Sequence, residues 1–151
     1  MPSVFPVSQH PMIKAVLNRL VPAGAGFPGA GDLDLIELLD RAASAHASTR
    51  RMFVEGMRQI SVESARRHGK SFQDLPAAEQ DGLLRYVEGQ QRAFFEALVS
   101  HVYTSYYSHA TVIELLGLEV RAPQPLGHAL PPFDPTITRA MSERRPFYRR
   151  T

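Results

Sequence analysis

Residues 94–107 read FFEALVSHVYTSYY. Phe94, Phe95, Leu98, Val99, Val102, Tyr103, Tyr106 and Tyr107 fall in adjacent pairs every four positions. Positions four apart share one face of an α-helix, so the pairs make two neighbouring apolar columns, broad enough to pack on both sides. Such a helix belongs at the centre of a bundle. Its Phe-Leu-Val half is expected in the core, and its tyrosine half is expected to face the segment where the folded region ends.

Towards the N-terminus the same periodicity recurs. Ser8 and Pro11 suit the first turn of a helix whose apolar face is Met12, Ile13, Val16, Leu17, Leu20 and Val21. It ends at PAGAGFPGAG (residues 22–31), where glycine and proline favour tight turns. No GxGxxG follows a strand pattern there and no Gly-Lys-Ser/Thr closes the loop, so a nucleotide-phosphate cradle is not supported.

Asp32 is placed to cap a second helix, with Leu33, Leu35, Ile36, Leu38, Leu39, Ala42 and Ala43 inward. Asp34, Glu37 and Asp40 would complement the positive end of its dipole. A third helix is expected from Thr49 to His68, burying Met52, Phe53, Met57, Ile60 and Ala65, with Gly69 as a left-handed C-cap. Phe72 and Leu75 should pin the next loop. Pro76 then starts a fourth helix with Glu79 and Asp81 in its first turns, and Gly89 should separate it from the central one. A short helix over residues 109–116 should stop at Gly117.

From Arg121 the composition changes. Six of the twelve prolines lie beyond it, and Arg139, Arg144, Arg145, Arg149 and Arg150 face Glu143 alone in the last thirteen residues. The expectation is an extended tail, able to reach on the order of 100 Å. Its few large apolar residues bury too little area to offset the entropy of ordering it on its own domain. It is expected to order against another protein. The fold class is therefore all-α, a compact bundle of about five to six helices over residues 1–120 with an extended Pro/Arg-rich C-terminal tail over 121–151 as part of the same domain.

Reactive constellations are sparse. Without cysteine there is no disulfide, thiolate nucleophile or Cys-ligated cluster in this chain. His101 and His109 are eight residues apart, about 12 Å along a helix, too far to share one metal ion. No HExxH or GxSxG occurs. Arginine interleaved with aromatics in the tail leaves a second reading open, a free-standing helical adaptor for nucleic acid or acidic surfaces, although residues 1–138 are slightly acidic. A small enzyme is the third. No run approaches the ~20 apolar residues of a membrane span, and MPSVFPVSQHPM lacks the regions of an export signal, so a cytoplasmic chain is expected.

Five stretches carry a family resemblance: MIKAVLNRLVPAGAGFPGAGDLDLIELLD (12–40), ARRHGKSFQDLPAAEQDGLLRYVEG (65–89), FFEALVSHVYTSYYSHATVIELLGL (94–118), APQPLGHALPPFD (122–134) and the terminal RPFYRR (145–150). In this order the chain resembles the gluconate 2-dehydrogenase subunit 3 family. The resemblance implies a non-catalytic small subunit that binds, stabilises or helps to fold a large flavoprotein of the glucose–methanol–choline type, a sugar or alcohol dehydrogenase or oxidase. It implies FAD in that partner and no cofactor in this chain, with a cytochrome c subunit in some assemblies. The twin-arginine signal common in the family is not present ahead of Arg50-Arg51, which favours a cytoplasmic complex. Family patterns also favour proline where this chain has Ala110. Tyrosine and arginine suit interfaces because each joins a large contact area to a polar tip. The expected partner-binding residues are Tyr103, Tyr106, Tyr107, His109, Pro123, Pro125, Phe133, Arg144, Arg145, Phe147, Tyr148 and Arg149.

Overall fold

A 22-residue helix, α3 (Ala47–His68), forms one wall of the domain and shows how its packing is set. At Gly56 an added Cβ would fall inside the ring of Phe94, so the missing side chain lets α3 and the central helix α5 (Arg92–Tyr107) close on each other. In this computed structural model the described residues are 3–120 and 134–136. They fall in two units, divided between Val120 and Arg121.

Residues 3–120 form six α-helices and no strand, in agreement with the all-α expectation. The others are α1 (His10–Leu20), α2 (Leu35–Ser44), α4 (Ala77–Gln90) and α6 (Ala110–Leu115). Helix α5 touches each of the other five, α3 included. Only one of its two apolar columns is buried, however. Phe94, Leu98, Val102 and Tyr106 are inside, whereas the second column runs from half-buried Phe95 and Val99 to exposed Tyr103 and Tyr107. Phe53 on α3 anchors the packing, edge-on to Phe94 at 5.8 Å and to Phe5 at 6.5 Å. Edge-to-face rings of this kind add to the area term by matching ring edge to ring face.

Local signals set several boundaries as expected. Met12, Ile13, Val16 and Leu17 are buried on α1. Gly69 caps α3 in the left-handed region at φ 64°. Phe72 and Leu75 are buried, and Pro76 precedes α4. Other details differ. Ser8 lies in a 3-10 turn (Val7–Gln9) and Gln9 occupies the α1 N-cap position. Asp32 ends a second 3-10 turn, and Asp34 rather than Asp32 precedes α2. Ala65 is exposed, and the buried face of α3 continues instead through Ser64, whose hydroxyl donates to the Lys70 carbonyl at 2.8 Å. Gly89 remains helical, and the chain turns at Gln91. The short helix begins at Ala110, one position later than expected, with His109 as its cap.

Charged groups join distant elements. Arg19 on α1 makes a two-pronged pair with Asp81 on α4, at 2.8 and 2.7 Å. Hydrogen bonding to Arg19 outweighs desolvation and holds the Asp81 carboxyl below its ordinary range. His68 Nδ1 meets Glu79 at 3.0 Å, tying the end of α3 to the start of α4. Glu63 accepts from Gln59, Arg66 and Arg67, and the Arg67 guanidinium lies 3.7 Å over the Tyr86 ring. Both acidic residues expected in the first turns of α4 therefore bond to side chains from other helices, Asp81 to Arg19 and Glu79 to His68.

The second unit is described only at 134–136, where the Thr136 amide and hydroxyl donate to Asp134 Oδ1 at 2.9 and 2.6 Å.

Candidate partner-docking face

The tyrosines of α5 divide by helical position. Tyr106 follows Phe94, Leu98 and Val102 in the buried column and is 3% exposed, while Tyr103 and Tyr107 are 42% and 53% exposed. The Tyr106 hydroxyl donates to the Pro28 carbonyl at 2.8 Å. Desolvation, with Tyr107 nearby, pushes its pKa upward, so it is a neutral donor across the ordinary pH range. Tyr107 stands edge-on to Tyr106 at 5.3 Å and stacks on Tyr103 at 6.1 Å, one turn back. The rings form a connected series from Pro28 to the surface.

The glycine-rich stretch that receives this bond is a tight turn. Gly24 and Phe27 exchange both backbone hydrogen bonds, at 3.1 and 2.9 Å, around Ala25 and Gly26 with φ of 50° and 84°. Two successive positive φ values identify a type I′ hairpin turn. Asn18 on α1 holds the other side, accepting from the Gly31 amide at 2.6 Å. With no strand before it, and held by these bonds, the stretch does not form a dinucleotide cradle.

Beyond Tyr107 the chain turns at Ser108 into α6. His109 takes the N-cap position, its carbonyl accepting from Val112 and Ile113 at 3.0 Å each. Its ring is half-buried with Nδ1 out of contact with solvent. Val112 alone of α6 is fully inside. The helix ends in a Schellman motif, with Gly117 at φ 73°, its amide bonded to Glu114 and the Leu118 amide bonded to Ile113. The residue after the glycine in this motif commonly packs back on the helix, yet Leu118 is 61% exposed. Leu115, Leu116 and Val120 are also exposed.

Of the expected partner-binding residues, the structure thus brings Tyr103 and Tyr107 together at the surface, places His109 at the α5–α6 corner and commits Tyr106 to its own domain. Pro123, Pro125, Phe133, Arg144, Arg145, Phe147, Tyr148 and Arg149 lie outside the described residues. Leu115, Leu116 and Leu118 were not anticipated; their signal was an apolar run too short for its six-residue helix to bury.

A cavity of about 540 Å³ near the N-terminus brings Ser3, His10 and Asp40 together with Phe5, Ile36 and Glu37. Their order does not suit nucleophilic catalysis, which needs histidine between serine and aspartate. Here the Ser3 hydroxyl donates directly to Asp40 at 2.7 Å, and His10 Nε2 donates to the Phe5 carbonyl at 3.2 Å. Asp40 also accepts from the Val4 and Phe5 amides, so its work is to fasten the N-terminal segment to α2. Among the described residues no group of three or more histidine or acidic side chains could hold a metal ion, and no helix is long and apolar enough to cross a membrane.

A family model described as gluconate 2-dehydrogenase subunit 3 matches residues 8–119. Comparison with curated proteins and with solved structures gives no match. The matched stretch takes in all six helices, the Tyr106–Pro28 tie and the exposed tyrosines. The chain belongs to the gluconate 2-dehydrogenase subunit 3 family.

Proposed function

We propose that this chain is the non-catalytic small subunit of a FAD-dependent sugar or alcohol dehydrogenase, and that it binds and stabilises a large flavoprotein of the glucose–methanol–choline type. The observation that carries the reading is the family match across the whole helical domain, since a third subunit acts in an assembly. The chemistry of the domain is consistent with that role. Its buried polar groups Glu63, Ser64 and Gln80 are each engaged in bonds between or within elements. FAD belongs on this reading to the partner, and the assembly is cytoplasmic.

The test is co-expression of the chain with the product of the neighbouring open reading frame, followed by purification through a tag on the small chain. Recovery of a yellow complex supports the reading. Turnover by the isolated chain, or salt-sensitive binding to nucleic acid with no flavoprotein recovered, contradicts it.

A further inference from the structure

Nine large apolar side chains are exposed among the described residues, and six of them lie within residues 103–120: Tyr103, Tyr107, Leu115, Leu116, Leu118 and Val120. This stretch comprises the end of α5, the whole of α6, which packs on α5, and the residues that follow α6 up to Val120. It contains Glu114 and Glu119 and no lysine or arginine. Single exposed apolar residues are ordinary, but a concentration of this kind marks a surface that is covered in the working state.

From these observations we infer that Tyr103 and Tyr107, continued by Leu116 and Leu118, form the face on which the large dehydrogenase subunit docks, with Tyr106 as the residue that positions it. The inference rests on the function proposed above and specifies its surface. Two observations select the occupant. The chain is a subunit by family, so another subunit must cover part of it. The face also ends at Val120, from which 31 further residues continue, so a partner seated here lies at the point where that segment leaves. The complementary surface is apolar, with polar acceptors for two phenol hydroxyls and basic side chains opposite Glu114.

Tyr106 gives the face its geometry. Its hydroxyl is tied to Pro28 and its ring meets Tyr107, which in turn stacks on Tyr103. The exposed rings are therefore held before binding, which lowers the entropy cost of docking.

The experiment compares affinities of full-length variants for the large subunit. Tyr103→Ala with Tyr107→Ala should weaken binding about tenfold or more, as aromatic anchors do, while helical content and melting stay close to the parent. Tyr106→Phe, which keeps the ring, should weaken binding by a smaller factor. Val62→Ala, at an exposed apolar site on α3, should leave it unchanged. Binding of the double variant within twofold of the parent overturns the inference and leaves the proposed function standing. So does a complex lost only on removing residues 121–151, or a tyrosine-dependent dimer of this chain alone. A parent chain that binds no flavoprotein overturns both.

Discussion

The Tyr106 hydroxyl and the Pro28 carbonyl oxygen lie 2.8 Å apart, joining the last turn of the central helix to a loop 78 positions earlier in the chain. Helix α1 reaches the same loop through Asn18, so the loop is held from two sides. Tyr106→Phe removes the donor and leaves the carbonyl in a half-buried site without its partner. The expected cost is about 1–2 kcal/mol, seen as a fall in melting temperature of about 2–6 °C. An unchanged melting curve would mean that water replaces the hydroxyl without loss.

Two glycines in helices should respond in opposite ways to alanine. At Gly82 nothing stands within 4 Å of an added Cβ, so Gly82→Ala should stabilise by about 0.5–1 kcal/mol through helix propensity. At Gly56 the same methyl meets the Phe94 ring, which is 1% exposed and cannot move away. Overpacking of about 1–3 kcal/mol then exceeds the propensity gain, and Gly56→Ala should lower the urea midpoint. Equal shifts of the same sign at both sites would contradict the close α3–α5 contact.

Asp40 gives a pH dependence of known sign. Burial alone would raise its pKa, but hydrogen bonds from Ser3, Phe5 and Val4, with the charge of Arg50, outweigh this and lower it from 3.8. A folded-state pKa below the unfolded one means that the unfolded chain takes up the proton first. The stabilisation is therefore complete well above pH 3.8 and is lost as the pH falls below that value. Asp40→Ala should cost about 1.5–3 kcal/mol at pH 7, and the gap from the parent should narrow in acid. Denaturant titrations of both proteins at neutral pH and near pH 2.5 measure this, and a gap that widens in acid would reverse the assignment.

What could be read from sequence was what is decided locally. The buried side of α1 follows from periodicity, the end of α3 from the left-handed Gly69, and the start of α4 from Pro76. What could not be read depends on residues distant in the chain. On sequence Asp40 is expected to complement the dipole of its own helix, but it stands past the first turn of α2, and its partners Ser3–Phe5 lie more than thirty positions earlier. Asp81 likewise meets Arg19 across 62 positions.

The docking face was legible only in part, for the same reason. Adjacent aromatic pairs show that α5 has two apolar columns, but which column is covered depends on where α1 to α4 pack. One buried column and one graded to the surface is the result, and it separates Tyr106 from Tyr103 and Tyr107. Leu116 and Leu118 carry no reading from sequence beyond the stop at Gly117. The Schellman turn at Gly117 leaves Leu118 exposed.

Size-exclusion chromatography of the two co-expressed chains, with absorbance followed at the flavin band, tests most directly whether this chain is the small subunit of a flavoprotein dehydrogenase. One peak holding both chains and FAD is expected, with the flavoprotein losing solubility or flavin when expressed alone. A flavoprotein that is equally soluble, flavin-loaded and active without this chain, and that elutes separately from it, would contradict the proposed subunit role.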